Sequence, residues 1–216
     1  MQSKVLLNWY NANEYSMPWR ENQDPYRIWI SEVMLQQTQV KTVIPYYNRW
    51  MEKFPTITDV ASCNINTLLK YWEGLGYYRR LHHIKNAADI VVNEYSGIMP
   101  KGDLLRSLPG IGDYIYSAIS SIAYNEKTPV IDGNVKRVAS RYWGKNFQSQ
   151  SELKKLLVLL NKSIDKKKPG DFNQALMDLG REVCKPKQPL CNVCPIEKTC
   201  YAYTHNEVEL FPVKII

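Results

Sequence analysis

Four of the five cysteines lie close together near the end of the chain, at a spacing that could hold a metal centre. They follow the pattern C-x6-C-x2-C-x5-C and are Cys184, Cys191, Cys194 and Cys200. In a reducing compartment, thiolates crowded into one short segment favour metal over disulfides. Structural zinc usually takes two separated C-x2–4-C pairs, whereas iron–sulfur clusters accept irregular spacing. The spacing favours an iron–sulfur cluster and leaves zinc as the alternative.

A glycine-containing turn between two apolar segments could hold a phosphate group. The turn Leu108-Pro109-Gly110-Ile111-Gly112 separates Leu104-Leu105 from a helical stripe that begins at Ile115. Glycines permit unusual backbone torsions, and Gly110 and Gly112 would expose successive N–H groups at a helix N-terminus. The alternative is a plain turn between helices. With a helix predicted on each side, the pattern is that of a helix–hairpin–helix motif, which grips the DNA backbone without reading sequence.

The net charge of the chain also favours a partner that carries phosphate groups. Lys and Arg outnumber Asp and Glu by 28 to 21, which gives a net charge of +7 and a pI near 9.0. Such an excess favours a polyanionic partner, although charge alone does not identify nucleic acid. Lys185 and Lys187 place positive charge in the loop after Cys184, where they face either solvent or phosphate.

Two carboxylates stand in positions that could carry chemistry. Asp132 precedes the segment Gly133-Asn134-Val135 and is either an ordinary helix N-cap or a functional acid. Glu32 is an acidic group on an otherwise apolar turn, with Ile30, Val33 and Met34 as neighbours. It is either a helix-surface charge or a buried acid, and these residues by themselves do not decide which.

The elements that must position these groups are helical. Apolar residues recur at helical spacing in stretches 40–54, 81–95, 115–123, 153–164 and 172–183, while strand alternation is scarce. Pro45 implies either a kink or a new helix with proline in its first turn. The pattern predicts an all-α fold, and 216 residues suggest one large domain or two small helical lobes.

No stretch predicts a membrane or secretory segment. None approaches the ~18 uncharged apolar residues that a membrane span needs. The first residues, from Met1 to Trp9, are too few and too polar for a secretory signal. We therefore expect a cytoplasmic protein without a membrane partner.

Taken together, the hairpin, the late aspartate and the four-cysteine tail resemble the endonuclease III-like superfamily of helix–hairpin–helix DNA glycosylases. Within it, the chain is most similar to the adenine DNA glycosylases of the MutY type. The similarity runs from about residue 5 to the end, with motifs in the same order, and rests on segments 18–20, 31–38, 72–78, 132–135 and 172–176.

The resemblance implies a fold and an activity. A six-helix lobe would span residues 19–126 and carry the hairpin, while residues 1–18 and 127–216 would form a second helical lobe with a [4Fe–4S] cluster on the four cysteines. The partner would be double-stranded DNA with adenine opposite 8-oxoguanine or guanine, bound by a monomer. The enzyme would flip the adenine out and hydrolyse its N-glycosidic bond in base excision repair.

The resemblance also implies roles for individual residues. Glu32 would be the general acid that protonates adenine, Asp132 would stabilise or capture the oxocarbenium-like sugar, and Asn134 would orient the centre. Tyr114 stands where bifunctional relatives carry a Schiff-base lysine, which implies a monofunctional enzyme. Other implied contacts are the adenine pocket (Trp19, Arg20, Leu35, Gln174), the positions inserted near the opposing base (Gln37, Tyr77) and the phosphate contacts (Gly110, Gly112, Lys185, Lys187).

Two alternatives stay open. A thymine–guanine mismatch glycosylase of the same superfamily shares the cluster and can share the tyrosine, but segments 36–38, 76–78 and 133–135 favour adenine. A non-catalytic DNA-binding module would not need both Glu32 and Asp132. Family members usually continue into a C-terminal domain that helps recognise 8-oxoguanine. Residues 210–214 resemble the entry to that domain's linker, so we expect either a short natural form or a chain from which the rest has been removed.

Overall fold

The computed structural model describes residues 1–13 and 15–213, so Lys214, the last residue of the linker-like segment, lies outside the described part. All regular structure in the described residues is helical and contains no strand, which confirms the all-α prediction. No helix among them combines the length and the apolar character needed to cross a bilayer. The chain divides into two compact units, one formed by Tyr15–Tyr124 and the other by the described residues of Met1–Glu14 and Asn125–Ile216.

Twelve α-helices follow one another in the described residues. They are α1 (Ser3–Ala12), α2 (Pro25–Leu35), α3 (Val40–Lys53), α4 (Ile57–Ser62), α5 (Ile65–Trp72), α6 (Arg79–Tyr95), α7 (Gly102–Arg106), α8 (Asp113–Ile122), α9 (Gly133–Trp143), α10 (Gln150–Ser163), α11 (Pro169–Asp178) and α12 (Tyr201–Thr204). A π-helical turn, Leu179–Val183, continues α11, and short 3₁₀ helices lie at Pro18–Arg20, Cys191–Val193, Glu197–Thr199 and Val208–Leu210.

The unit Tyr15–Tyr124 contains α2 to α8, one helix more than the resemblance implies. Its core is aromatic: Trp29, Trp50 and Trp72 are almost fully buried, and Trp50 meets Trp72 edge-on with ring centroids 5.7 Å apart. Pro45 lies inside the single helix α3 and does not begin a new one. Packing of α2 against α3 and α8 buries Tyr26 and residues 28–34 of α2.

Local sequence explains where α2 begins. Asp24 caps the helix, accepting a hydrogen bond from the Tyr26 N–H at 2.8 Å, and Pro25 occupies the first helical position. This start places Glu32 on the third turn, within the buried part of the helix.

The other unit packs α1 against α11 and α9 against both α11 and its π-helical continuation. α10 begins with a capping box in which Ser149 and Glu152 bond each other's backbone N–H groups. The π-helical turn delivers the chain from α11 directly to Cys184, so the packing of α9, α11 and this turn positions the first cysteine of the tail.

Candidate active site and cysteine centre

Glu32 is a buried acid paired with a tyrosine from a distant part of the sequence. Its side chain is only 5% exposed, on a helix whose neighbouring residues are apolar. The Tyr114 hydroxyl, from the first turn of α8, donates a hydrogen bond of 2.5 Å to Glu32 Oε2. Packing of α2 on α8 brings the two together. The structure thus decides between the two sequence interpretations of Glu32 in favour of the buried one.

The predicted hairpin is present between α7 and α8. Gly110 has φ +79°, and a Cβ there would lie 2.7 Å from the Cβ of His83, so both torsion and space call for glycine. Gly112 differs from the expectation, because its φ is an ordinary −83° and a Cβ would meet no atom within 4 Å. It is the N-cap residue of α8, where its backbone is exposed.

Asp132 is both a helix cap and part of a polar chain. Its Oδ1 accepts from the Val135 N–H at 2.6 Å, and its Oδ2 accepts from Asn134 Nδ2 at 3.1 Å. Asn134 Oδ1 in turn accepts from Arg137 Nη2 at 2.8 Å. Burial raises the pKa of Asp132, and the hydrogen bonds from Val135 and Asn134 oppose that rise. One oxygen therefore serves the helix, while the other is held by Asn134.

Arg137 connects this chain of hydrogen bonds to the first cysteine of the tail. Its Nε donates to the Cys184 carbonyl at 2.7 Å, and its Nη2 also donates to the Gly180 carbonyl at 2.6 Å. The backbones approach closely here, since a Cβ on Gly180 would lie 2.6 Å from the Asn134 Cβ. A displaced Cys184 would thus disturb the partners of Asn134.

The segment that leads to Asp132 is held from α11. Asn173 is almost fully buried, donates from Nδ2 to the Thr128 carbonyl at 2.9 Å and accepts at Oδ1 from the Val130 N–H at 3.2 Å. It satisfies backbone groups that no strand partner takes up. Asn173 belongs to a segment that supports the family resemblance, but sequence reasoning gave it no role.

The four tail cysteines line one small cavity, together with residues that include Arg141, Val183 and Tyr203. All four are half-buried free thiols. Burial, reinforced by the neighbouring cysteines, raises the pKa of the Cys194 thiol to about 12. Among the described residues, no three His, Cys, Asp or Glu side chains are arranged to hold a metal ion. Four sulfur donors thus line the wall of one cavity.

Arg141 is a buried cation beside this cavity. It is 3% exposed, and its Nη1 donates to Cys184 Sγ at 3.4 Å and to the Lys185 carbonyl at 2.7 Å. Its remaining donors reach the carbonyls of Pro186, Val208 and Phe211. A guanidinium beside sulfur suits a thiolate, which is the form that binds metal.

The other predicted contacts are distributed over both units. Trp19 is buried and packs edge-on against Tyr47, with ring centroids 5.4 Å apart, whereas Leu35 is half-buried at the end of α2. Arg20 is half-buried in the same unit, and Gln174 is buried on α11 in the other. The residues with exposed side chains are Gln37, Tyr77, Lys185 and Lys187.

Sequence reasoning missed three arginines that organise these groups, namely Arg80, Arg137 and Arg141. A signal existed for Arg137, which stands three residues after Asn134 and would share its face on a helix that Asp132 caps. Arg80 and Arg141 bond mainly to main-chain carbonyls, which every residue type provides, and no residue pattern marks those acceptors.

Most of this chain aligns with adenine DNA glycosylases of other organisms. It is 44% identical over 216 residues to an adenine DNA glycosylase of Homo sapiens, in an alignment that covers 94% of the chain and 40% of that protein. It is 40% identical to an adenine DNA glycosylase of Buchnera aphidicola, covering 95% of the chain and 59% of the relative. The chain thus spans only about two fifths to three fifths of the length of these curated relatives.

The chain also matches a solved structure and the sequence pattern of a protein family. A thermostable thymine-DNA glycosylase matches with a TM-score of 0.85 and 29% identity, covering 94% of this chain and 95% of that one. The sequence pattern described as HhH-GPD superfamily base excision DNA repair protein matches residues 30–162, more than half of the chain. Together with the helical fold and the hairpin, this match shows that the chain belongs to the HhH-GPD superfamily of base excision DNA repair proteins.

Proposed function

We propose that the protein is a DNA glycosylase that removes adenine mispaired with 8-oxoguanine or guanine by hydrolysing the N-glycosidic bond. The observation that carries the proposal is the buried Glu32 whose Oε2 accepts a hydrogen bond from the Tyr114 hydroxyl. Adenine is a poor leaving group, so its ring must gain a proton as the bond breaks. A carboxyl in apolar surroundings, oriented by a phenol, is suited to deliver that proton.

Asp132 would act on the sugar. Departure of adenine leaves an oxocarbenium-like centre, which a fixed negative charge stabilises. The hydrogen bonds from Val135 and Asn134 fix both oxygens of Asp132, so little reorganisation is needed as positive charge develops. The base leaves as neutral adenine with the proton from Glu32, and water then adds to the sugar carbon and gives up a proton that restores the Glu32 acid.

Duplex DNA is the proposed partner, bound by a monomer in the cytoplasm. The exposed N–H groups of the hairpin at Gly110 and Gly112, with the exposed lysines Lys185 and Lys187, would contact backbone phosphates. Trp19, Arg20, Leu35 and Gln174 would contact the flipped adenine, and Gln37 and Tyr77 would enter the duplex near the opposing base. Support comes from the adenine glycosylases that the chain resembles at 40–44% identity.

The substrate can be tested directly, because the 29% identity to a thymine-DNA glycosylase favours one specific second candidate. Single-turnover excision would be measured on duplexes that carry A:8-oxoguanine, A:G, T:G or A:T. We expect adenine release from the first two and none from A:T. Release of thymine from T:G with no action on adenine would contradict the proposal and indicate a thymine–guanine mismatch glycosylase instead.

We predict that the enzyme forms no Schiff base at Tyr114. A phenol cannot form an imine, so borohydride should trap little covalent complex between wild-type protein and substrate DNA. Tyr114→Lys should trap more, since an amine then stands at that position on α8. Abundant trapping with the wild type would point to a lysine elsewhere and contradict the monofunctional assignment.

A [4Fe–4S] cluster is the group that we propose for the cysteine cavity. Cys184, Cys191, Cys194 and Cys200 would hold it, since all four line one cavity. The irregular spacing C-x6-C-x2-C-x5-C, which lacks the two separated C-x2–4-C pairs usual for structural zinc, supports a cluster over zinc. Such a group supplies four metal–sulfur bonds that tie the tail together. The chain's own part is the Arg141 donor at Cys184 and the apolar wall formed by Val183.

Iron analysis gives the corresponding prediction. Protein purified without oxygen should contain iron and acid-labile sulfide in equal amounts, with the broad visible absorbance of an iron–sulfur protein. Cys194→Ser should lose most of both, whereas Cys63→Ser, outside the motif, should keep them. Zinc in the wild type without iron or sulfide would overturn the proposal.

A further inference from the structure

Arg80 joins two loops that lie far apart in the sequence. Its Nη1 donates to the carbonyls of Val33 at 2.7 Å, Met34 at 3.2 Å and Gln36 at 2.8 Å, at the end of α2. Its Nη2 donates to the carbonyls of Leu75 at 3.4 Å and Gly76 at 3.2 Å, in the loop before α6. One half-buried guanidinium thus fixes the spacing between these loops.

Each loop presents one exposed side chain directly after an Arg80 acceptor. Gln37 follows Gln36 with φ +60°, and Tyr77 follows Gly76 with φ +49°. Left-handed torsions are uncommon for residues other than glycine and persist only where surrounding contacts enforce them. Both side chains are exposed, so burial in the core does not supply that enforcement.

The contacts around Arg80 enforce the left-handed torsions of Gln37 and Tyr77. The guanidinium lies 5.2 Å from the Tyr77 ring centroid and 5.4 Å from that of Trp72. Trp72 Nε1 also donates to the Gly76 carbonyl at 3.0 Å, and this bond restrains the same loop. The planar fork of arginine can serve acceptors in both loops at once, whereas the three donors of a lysine ammonium arise from a single atom.

We propose that Arg80 is a positioning residue that holds Gln37 and Tyr77 in the conformation in which they enter the duplex beside the opposing base. This rests on the proposed function, in which Gln37 and Tyr77 sense the base opposite adenine. Arg80 touches neither the adenine nor the catalytic carboxyls in this role; it acts through the two loops. Its loss should therefore impair recognition of the opposing base more than the chemistry of excision.

The test compares Arg80→Lys and Arg80→Met with Arg79→Met, which alters the exposed neighbouring arginine on the same helix. The melting temperature of each variant is measured first. If Arg80→Met does not fold, the comparison is made with Arg80→Lys alone. The main readouts are the ratio of single-turnover rates on A:8-oxoguanine and A:G, and the fluorescence of 2-aminopurine placed next to the opposing base. We expect both Arg80 variants to lower the rate ratio, by roughly tenfold or more for methionine, and to reduce the fluorescence change on binding.

A double-mutant cycle separates positioning from general weakening. In a Gln37→Ala/Tyr77→Ala background, Arg80→Met should still lower the melting temperature but should change the rate ratio no further. Unchanged ratio and fluorescence in folded Arg80→Met, with adenine excision intact, would overturn the inference and leave the proposed function standing. If the wild type released no adenine, the proposed function would fail, and the fluorescence change on binding would still decide the role of Arg80.

Discussion

Replacing Glu32 by glutamine is expected to lower the single-turnover rate of adenine excision by about 10²–10⁴-fold, the usual contribution of a positioned acid. Glutamine has nearly the same shape, and its carbonyl oxygen can still accept the Tyr114 hydroxyl, but it has no proton to deliver to adenine. Duplex affinity should change little, because the side chain is buried and adds no contact to the phosphates. Rates would be measured with enzyme in excess, so that product release does not enter.

Glu52→Gln is the matched control, because it makes the same chemical change at an exposed position on α3 of the same unit. It should excise adenine at the wild-type rate. Should Glu32→Gln keep most of its rate while binding DNA normally, the acid would have to be sought elsewhere. Equal loss of affinity and rate would indicate a structural role for Glu32.

The second large effect is expected at Asp132, where asparagine should lower the excision rate by about 10²–10³-fold, the usual contribution of a group that stabilises transition-state charge. The amide can still cap α9 through the Val135 N–H, but it carries no charge to stabilise the sugar cation. Burial raises the pKa of Asp132, so the wild-type charge is lost on acidification at a higher pH than for an ordinary carboxyl. The wild-type rate should therefore fall as pH decreases through that raised pKa, and Asp132→Asn should lack this fall.

Asp24→Asn controls for the capping function, since Asp24 caps α2 through the Tyr26 N–H as Asp132 caps α9. It should leave excision unchanged. A pH–rate profile of Asp132→Asn with the same acidic fall as wild type would assign that fall to another group. A near-normal rate at all pH values would leave Asp132 with the helix cap alone.

The local part of this structure was predictable from sequence. The helical spacing of apolar residues and the capping and turn residues identify most of the long helices, because they act over a few residues. The hairpin is likewise a local pattern around Gly110. Asp132 shows the limit of such reasoning: its sequence context allowed a cap or a functional acid, and the structure gives one oxygen to the cap and the other to Asn134.

The rest depended on contacts between distant residues. Glu32 and Tyr114 are 82 positions apart, and only the packing of α2 on α8 makes them partners. The spacing of the cysteines indicated a common centre, but no sequence pattern indicated that Arg141 lies beside them. Arginines that bond carbonyl groups escape sequence reasoning because their acceptors belong to the backbone, which is the same at every position.

Arg141 also determines how the tail can unfold. Its guanidinium is buried and depends on carbonyls from two segments, Lys185-Pro186 and Val208–Phe211. Releasing either segment would leave a buried charge short of acceptors, a costly state. The two segments should therefore open in a single cooperative event, and their amide protons should exchange with solvent at a common rate. A break or fluctuation in the Val208–Phe211 segment would then disturb Cys184, although 23 residues of chain lie between Cys184 and Val208.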